Sequence, residues 1–242
     1  MKTILGLAFS AAITPAMAAG GFETDVLPTE AGDLKITFIG HSSLMFEFGG
    51  KVVYNDPVGQ YGDFSKLPKA DLILAAHEHG DHFDPETIKK ISKAETKVVM
   101  TPLCVGKGKD GIVLKNGEET TVDRIRIEAV PAYNLVHMRS PGVPYHPKGV
   151  GNGYILTFGG KRVYIAGDTE NIPEMKKLGR IDIAFLPMNL PYTMTPEMAA
   201  DAARMIKPAI LYPYHTTDTD VSRLQPLLKE EKGIEIRIRR MP

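Results

Sequence analysis

The sequence contains a single cysteine, Cys104, and no tryptophan among its 242 residues. One cysteine excludes an intramolecular disulfide framework and a zinc site built from several thiolates. Acidic and basic side chains balance at 29 each, so no overall charge attracts nucleic acid. Beyond the N-terminus, no apolar run approaches the ~20 residues that span a bilayer. We therefore expect no nucleic-acid partner and no membrane span in the mature chain.

The N-terminus has the pattern of a secretory signal. Lys2 supplies a positive start, residues 4–13 an apolar stretch, and Ala16-Met17-Ala18 a small-residue cleavage site. A membrane anchor is the alternative, but the apolar stretch has only about half the length that a transmembrane helix needs. We therefore expect residues 1–18 to be removed, leaving residues 19–242 as one domain of a periplasmic or secreted protein.

A histidine cluster follows the apolar run at residues 72–76. Three of the seven histidines, together with Asp81, lie in residues 77–82 (HEHGDH), and chance places such a pattern in a chain of this length less than ~1% of the time. The glycine in its middle favours a strand end followed by a tight turn over a helix. On an extended strand His77 and His79 point the same way, and the turn then redirects Asp81 and His82. This arrangement predicts two metal ions rather than one.

Apolar periodicity and turn residues predict a mixture of strands and helices. The predicted strands are residues 34–39, 43–48, 51–54, 72–76, 97–100, 124–129, 153–158, 162–166, 181–186, 209–214 and 234–238. The predicted helices are residues 85–92, 172–178, 196–206 and 221–232. Asn116-Gly117 predicts a hairpin between residues 112–115 and 120–122. The long loop at residues 131–152 is rich in proline and glycine, and its length favours a functional role.

Two segments of the chain are repeated. Residues 46–54 (FEFGGKVVY) match residues 156–164 (LTFGGKRVY), and residues 71–86 match residues 182–197. Two matches in the same order at nearly the same offset indicate two similar halves. In the second half the aligned positions hold Met188, Leu190, Tyr192 and Thr193, so only the first half carries metal-binding side chains.

Two bound metals need about three protein ligands each and a shared group, so the rest of the chain has to supply more ligands. Asp168, in the sequence IAGDT, ends a predicted strand after a glycine that lets the backbone turn. His215 also ends a predicted strand, and His146 lies in the long loop at residues 131–152. These three side chains complete the set of candidate ligands.

The motifs together resemble those of the metallo-β-lactamase superfamily. HEHGDH fits its H-x-H-x-D-H motif, and GHS at residues 40–42, Asp56-Pro57, GDT at residues 167–169 and a late P-x-H at His215 follow in the expected order. The chain is most similar to the branch of simple metal-dependent hydrolases that includes the ascorbate-6-phosphate lactonases and an uncharacterised family with GHS and GDT. The resemblance implies an α/β fold, a four-layer αββα sandwich of two similar halves, with the site at one edge of the two sheets.

The resemblance also implies a ligand set. His77, His79 and one later histidine would hold the first metal, Asp81, His82 and His215 the second, and Asp168 would bridge them. Many relatives place the later histidine in a P-A-[YF]-H sequence, but here the fourth position is Asn134. We therefore assign His146 to this position, with His137 as the alternative.

Further residues have expected roles beside the ligands. We expect His41 and Asp56 to hydrogen-bond the metal ligands from behind, with direct ligation as the alternative for His41. Asn134, Asn189 and Tyr192 lie on loops at strand ends, where a substrate would bind. Asp81 and Asp168 are the candidate catalytic residues, Asp81 because it would also orient the attacking hydroxide.

The expected function is that of a binuclear hydrolase, in which a hydroxide between two divalent metals attacks a small-molecule lactone, ester, amide or phosphoester. Zinc suits an imidazole-rich site best, and manganese or iron are alternatives. Three other functions remain open: a β-lactamase, a di-iron redox protein and a binding protein stabilised by its metal. An acid commonly stands at the position of His79 in the di-iron proteins, which disfavours that function here.

Overall fold

The computed structural model describes residues 16–17 and 20–241. The predicted apolar stretch of the secretory signal, residues 4–13, lies outside the described residues, and its removal stays a prediction. Cleavage before Ala19 would also remove the first strand, Ala16–Met17, which pairs with Glu23 and Thr24. None of the helices in the described part of the chain is both long and apolar enough to cross a membrane.

Two large sheets contain nearly all of the strands. Within the described residues the first sheet has eight strands in chain order: β1 (Ala16–Met17), β2 (Glu23–Thr29), β3 (Gly32–Gly40), β4 (Ser43–Phe48), β5 (Lys51–Asn55), β6 (Ala70–Ala75), β7 (Ser92–Met100) and β8 (Ile112–Val113). The other strands are β9 (Glu119–Val122), β10 (Ile125–Ala132), β11 (Met138–Ser140), β12 (Val143–Pro144), β13 (Gly151–Phe158), β14 (Lys161–Ile165), β15 (Ile183–Pro187), β16 (Ile210–Tyr214) and β17 (Glu235–Ile236). The second sheet has the order β17-β16-β15-β14-β13-β10-β9, and β11 and β12 form a separate hairpin.

The described residues contain three α-helices, and the two longer ones begin after residues whose side chains cap them. The three helices are α1 (Pro85–Ile91), α2 (Pro196–Ile206) and α3 (Leu224–Leu227), with 3-10 turns at Gly59–Tyr61, Phe64–Lys66, Pro102–Cys104, Pro173–Lys177 and Val221–Arg223. Before α1, the Asp84 side chain accepts hydrogen bonds from the first free backbone N–H groups of the helix, and the Thr195 side chain does the same before α2. A proline stands at the first position of both helices, where no N–H group is needed.

The core is divided into three apolar layers. Phe46 of the first sheet stacks on Phe158 of the second with ring centroids 5.6 Å apart, so one layer lies between the sheets. A second layer joins the outer face of the first sheet to α1, and a third joins the outer face of the second sheet to α2. Leu72 and Leu74 face the layer between the sheets, whereas Ile73 faces α1, which explains why β6 is apolar throughout. This αββα architecture confirms the predicted fold class.

The two halves of the chain repeat the same arrangement. In the first half, hairpin β4-β5 is followed by β6 and β7, both parallel to β5, and in the second half hairpin β13-β14 is followed by β15 and β16, both parallel to β14. One hydrogen bond is also repeated. The Val52 N–H donates to Asp71 Oδ2 at 2.9 Å, and the Arg162 N–H donates to Asp182 Oδ2 at 2.9 Å. The predicted internal repeat is therefore a structural one.

The predicted hairpin at Asn116-Gly117 is wrong. The strand before it, β8, pairs with β7 in the first sheet, whereas the strand after it, β9, pairs with β10 in the second. Gly117 does adopt a positive φ of 89°, so the turn exists. The turn carries the chain from one sheet to the other, and turn chemistry alone does not show which sheet each flanking strand joins.

The C-terminal region also differs from its prediction. The helix predicted at residues 221–232 ends at Leu227 and begins with a 3-10 turn, and the helix predicted at residues 172–178 is a 3-10 turn over Pro173–Lys177. Strand β2 was not predicted. Its buried Asp25 accepts hydrogen bonds from Arg239 at 2.8 and 2.9 Å and from Arg237 at 3.3 Å, which ties the start of the described fold to its end.

Candidate metal centre

The candidate ligands meet where strands of both sheets end. His77 follows β6 of the first sheet, while Asp168 follows β14 and His215 follows β16 of the second. His41, Asp56 and His215 have positive φ angles of 52°, 43° and 48°, a conformation that residues other than glycine rarely adopt. Such backbone strain concentrates at functional sites, because the surrounding structure has to hold it in place.

Three histidines form the first group. The ligand atoms of His77, His79 and His146 all lie within 4.8 Å of one another. His77 Nε2 is 3.0 Å from His79 Nδ1. Two nitrogens on one tetrahedral zinc ion lie about 3.3 Å apart, because each Zn–N bond is about 2.0 Å long. The spacing therefore suits a shared ion.

His146 owes its orientation to Asn134. The Asn134 Oδ1 atom accepts the backbone N–H of His146 at 2.8 Å and lies 2.8 Å from its Nδ1. The Asn134 Nδ2 group donates to the Tyr192 carbonyl at 2.8 Å and to Glu170 Oε1 at 3.2 Å. All polar atoms of this buried side chain are thus in use behind His146. In this structure Asn134 positions a candidate ligand, and its predicted contact with a substrate stays a prediction.

His137, the alternative to His146, faces a different carboxylate. Its Nδ1 atom lies 2.7 Å from Oε1 of the buried Glu170. Glu170 also accepts backbone N–H groups from Leu135, Val136 and His137, each at 2.7 Å. Burial alone would raise the pKa of Glu170, but these backbone donors lower it below its usual value. Glu170 therefore fixes the start of the loop that brings His146 to the site.

The second group contains Asp81, His82, His215 and also His41, whose ligand atoms lie within 4.8 Å of one another. His82 Nε2 is 3.1 Å from His215 Nε2, and His41 Nε2 is 3.3 Å from Asp81 Oδ2. His41 is thus close enough either to hydrogen-bond Asp81 or to bind an ion directly, and its role stays a prediction. Tyr61 stacks on its ring with centroids 4.4 Å apart.

Asp168 lies between the two groups. Its Oδ2 atom is 3.2 Å from His146 Nε2 and 3.8 Å from His77 Nε2. Its Oδ1 atom is 3.1 Å from His82 Nε2 and 3.3 Å from His215 Nε2. Each oxygen therefore faces a different set of histidines, which is the arrangement of a bridging carboxylate.

The hydrogen bonds behind the histidines test whether a cation fits this centre. Asn134 Oδ1 already accepts the backbone N–H of His146, so it is an oxygen and the neighbouring Nδ1 has to donate. Burial lowers the pKa of His146, which leaves the ring neutral. Its Nε2 lone pair then faces a carboxylate oxygen of Asp168 at 3.2 Å. The ring nitrogen and the carboxylate oxygen are both acceptors and repel each other unless a proton or a metal ion lies between them. The side chains present therefore fit a metal ion.

His82 leads to the same conclusion. Its Nδ1 lies 2.8 Å from Oδ2 of the buried Asp56, whose other oxygen accepts the Ala76 N–H at 2.8 Å. Burial alone would lower the pKa of His82, but Asp168 and Asp56 on either side raise it well above its usual value. A positive charge on the His82 ring between these two carboxylates is therefore favourable, and either a proton or a metal ion on Nε2 can provide it.

A cavity of about 600 Å³ opens onto the centre. Its wall is formed by His79, Gly80, Asp81, Arg139, Tyr145, His146, Asp168, Asn189 and Tyr192. The predicted substrate-binding residues Asn189 and Tyr192 are among them. Arg139 and Tyr145 were missed, although both belong to the loop at residues 131–152 whose length indicated a function.

The region of this chain that is similar to known proteins contains the whole candidate metal centre. The sequence matches the Beta-lactamase superfamily domain over residues 35–215. A UPF0173 metal-dependent hydrolase from Pelotomaculum thermopropionicum is 31% identical over 192 residues, which cover 75% of this chain and 84% of the relative. The matched residues of the family domain include every candidate ligand, from His41 to His215.

Solved structures show the same fold. A crystal structure of a candidate metal-dependent hydrolase from Parabacteroides distasonis is 51% identical, with a TM-score of 0.87 over 91% of this chain and 100% of that chain. The structure of a metallo hydrolase from Ignicoccus hospitalis is 26% identical, with a TM-score of 0.71 over 86% of this chain and 95% of that chain. The likeness therefore extends over nearly the full length of both.

Proposed function

The chain belongs to the β-lactamase superfamily and is a metal-dependent hydrolase, and from this premise we propose that it binds two divalent ions and hydrolyses a small-molecule lactone, ester, amide or phosphoester. The observation that carries the proposal is the position of Asp168. Its two oxygens face two separate sets of ring nitrogens at 3.1 to 3.8 Å. A carboxylate shared in this way serves two ions, because a single ion would leave one set without a partner.

The proposed ions are zinc. Five of the seven ligands proposed from the sequence are imidazoles, namely His77, His79, His82, His146 and His215, and nitrogen-rich sites of this kind suit zinc, whereas sites of carboxylates and water suit manganese. His79 and Asp81 line the cavity and are only partly buried, so a substrate can reach the centre. An accessible centre favours catalysis over a purely structural metal site, since catalytic zinc sites keep a position that water or substrate can reach.

Ions bound here would lower the pKa of a water molecule between them and polarise a carbonyl or phosphoryl oxygen of the substrate. The protein supplies the orientation. Asn134 and Asp56 hold the rings of His146 and His82 through the nitrogens that face away from the centre. Asn189 and Tyr192 line the cavity beside the ligands and are placed to contact a bound substrate.

Asp81 has a second role in the proposal, as the group that orients the attacking water. Burial would raise its pKa, but His215 and His41, whose Nε2 atoms lie 3.7 and 3.3 Å from its Oδ2, lower it far below its usual value. The carboxylate therefore stays ionised at neutral pH, and it orients a water molecule by accepting a hydrogen bond. Its side chain is 38% exposed and lines the cavity, so a water molecule in the cavity can reach it.

Hydrolysis assays with purified, zinc-loaded protein test the proposal. The panel contains lactones, esters, amides, thioesters, phosphodiesters and β-lactams, each measured before and after removal of metal by a chelator. We expect at least one substrate class to be hydrolysed, the activity to disappear with the metal and to return with added zinc. Hydrolysis that persists in the chelated protein, or no hydrolysis across the panel, would contradict the proposal.

A pair of variants separates the role of Asp81 from a general effect of removing a charge. Asp81→Asn should lower kcat/KM by about 10²-fold, because it alters a proposed ligand and misplaces the attacking water. Asp218→Asn is the control, because Asp218 is exposed and lies just beyond His215 without belonging to the centre. Equal activity in the two variants would exclude this role for Asp81.

A further inference from the structure

One arginine of the cavity wall is not neutralised by any acidic side chain of the described residues. Arg139 is exposed, lies in strand β11 and lines the cavity that opens onto the candidate metal centre. Over residues 16–17 and 20–241 its side chain takes part in no ion pair and no hydrogen bond, and its guanidinium group contacts an aromatic ring. Its guanidinium group is therefore available to a molecule in the cavity.

An aromatic pair holds the guanidinium group in place. The Arg139 guanidinium carbon lies 6.0 Å from the centroid of the Tyr145 ring, within the range of a cation–π contact. Tyr145 meets Tyr192 edge to face with centroids 5.0 Å apart, and the Tyr192 carbonyl accepts a hydrogen bond from Asn134 at 2.8 Å. The β11-β12 hairpin is thus connected through the aromatic pair to the side chain that orients His146.

Apart from the carboxylates of the proposed ion centre, no side chain of the cavity wall balances the positive charge of Arg139. The other ionised side chains there are Asp81 and Asp168, and both belong to the proposed ion centre. No lysine or second arginine lines the described cavity. An arginine presents a planar fork of N–H groups that matches a carboxylate or a phosphate, so an anion is its natural partner.

Two loops of the cavity wall also expose apolar side chains. Leu135, Val136, Met138, Val143, Leu190 and Tyr192 are exposed on these loops, and Tyr192 itself lines the cavity. The same two loops contribute Arg139, Tyr145 and Asn189 to the cavity wall. Tyr145 and Tyr192 give the wall an aromatic surface, which favours a ligand with an apolar or aromatic part.

We propose that the substrate is an amphiphilic anion, whose carboxylate or phosphate group binds Arg139 while an apolar or aromatic segment lies against Tyr145 and Tyr192. The anionic group is remote from the bond that the ion centre cleaves. This inference rests on the proposed function, because it assumes that the ion centre binds the other end of the same molecule. It makes Arg139 a specificity-determining residue of the hydrolase.

Thiol probes that differ only at their distal end test the inference by binding rather than by activity. All three share a thiol that binds zinc and a phenyl ring: 4-(mercaptomethyl)benzoate, 4-(mercaptomethyl)phenylphosphonate and the neutral 4-(mercaptomethyl)benzamide. Their dissociation constants are measured by calorimetry on the zinc-loaded protein. We expect at least one anionic probe to bind about three- to tenfold more tightly than the amide, with a preference that shrinks as salt is added. The tighter anion identifies the group that the substrate carries.

Two exposed arginines provide the matched variants. Arg139→Gln should reduce the preference for the anionic probes to less than about twofold. Arg124→Gln should retain it, because Arg124 is exposed in the turn between β9 and β10 and does not line the cavity. Neither side chain is buried, so both variants are expected to fold. Arg139→Lys should keep part of the preference, since the charge remains but the fork is lost.

The outcomes separate this inference from the proposed function. Tight binding of all three thiols with no difference between them would overturn the role of Arg139 and leave the ion centre intact. An unchanged preference in Arg139→Gln would also overturn it, since another group would then recognise the anion. Failure of the wild-type protein to bind any of the thiols would contradict the ion centre itself, and the inference would fall with it.

Discussion

Replacing Asn134 with alanine removes the group that orients His146 without removing any of the proposed metal ligands. The Asn134 Oδ1 atom accepts both the backbone N–H and the Nδ1–H of His146, each at 2.8 Å. Without it, the His146 ring is free to rotate or to exchange tautomers, and its Nε2 is no longer held against Asp168. The first ion should therefore lose affinity while the second keeps it.

The expected magnitude follows from these contacts. Loss of the outer partner of a metal-binding histidine typically costs 10- to 100-fold in metal affinity, or about 1.4 to 2.7 kcal/mol. The variant also leaves the buried His146 N–H and the Tyr192 carbonyl without their Asn134 partner. We expect this loss to reduce the free energy of unfolding of the metal-free protein by about 1 to 3 kcal/mol.

Competition titrations with a chelator measure the two zinc affinities separately. His79→Ala identifies which binding step belongs to the first ion, because it removes a proposed ligand of that ion alone. Asn134→Ala should weaken the same step. Asn134→Asp should preserve that affinity, since an acceptor still faces His146, yet it should unfold more easily because the new carboxylate lies beside Glu170, 3.2 Å away in the wild-type protein.

Asn189→Ala is the control for this series, because Asn189 lines the cavity and no side-chain hydrogen bond ties it to a candidate ligand. It should leave both zinc affinities within about twofold of the wild type. Equal losses in the two binding steps of Asn134→Ala, or no loss in either, would refute the reasoning, since Asn134 would then have no specific effect on the first ion.

Four further predictions follow from single features of the chain. The raised pKa of His82 means that a proton competes with zinc, so zinc affinity should increase as pH rises from about 6 to 8. In the metal-free protein the same proton stabilises the fold fully below the unfolded-state pKa of about 6.5, and chemical denaturation should show this contribution lost as pH rises through the higher folded-state value. Gly167→Ala should lower the melting temperature and the zinc content, because φ is +67° and the added Cβ would lie 2.6 Å from the Asn152 carbonyl oxygen. The protein exported from a bacterial host should begin at Ala19 by intact-mass measurement, and a mature chain that keeps residues 1–18 would exclude the predicted signal.

The sequence was most informative where one short segment contains both the chemistry and the turn that positions it. HEHGDH places His77, His79, Asp81 and His82 at a strand end, and local geometry brings them together. The repeat was also visible, because hairpin and cap residues recur in both halves. Corresponding strands of the two halves, about 110 residues apart, pair in the same order, because the same local pattern of residues packs in the same way.

The sequence was least informative where contacts join distant segments. Asn134 stands where many relatives have the later histidine, and nothing in the local sequence indicated that it would orient His146 twelve residues further on. Glu170 likewise lies just after GDT, and its role in holding the loop at residues 135–137 depends on how that loop folds back. Roles of this kind depend on tertiary contacts, which residue patterns do not encode.

The same limit explains the errors in the fold. The turn at Asn116-Gly117 was recognised, but its flanking strands belong to different sheets, and pairing partners are decided by the whole chain. The helix predicted near the C-terminus begins with a 3-10 turn and becomes an α-helix only at Leu224, since Pro226 has no backbone N–H for a bond to the turn before it. Apolar periodicity alone did not show this constraint on the backbone.

Crystals of the zinc-loaded protein, with diffraction data collected at the zinc absorption edge, are the most direct test of the proposed binuclear centre. We expect two anomalous peaks per chain. One should lie about 2.0 to 2.2 Å from nitrogens of His77, His79 and His146, and the other should be bound by Asp81, His82 and His215. Asp168 should contribute one oxygen to each ion, and Asp168→Asn should lower the zinc content measured by mass spectrometry from two ions per chain. A single peak, or two peaks that do not share Asp168, would contradict the proposed binuclear centre.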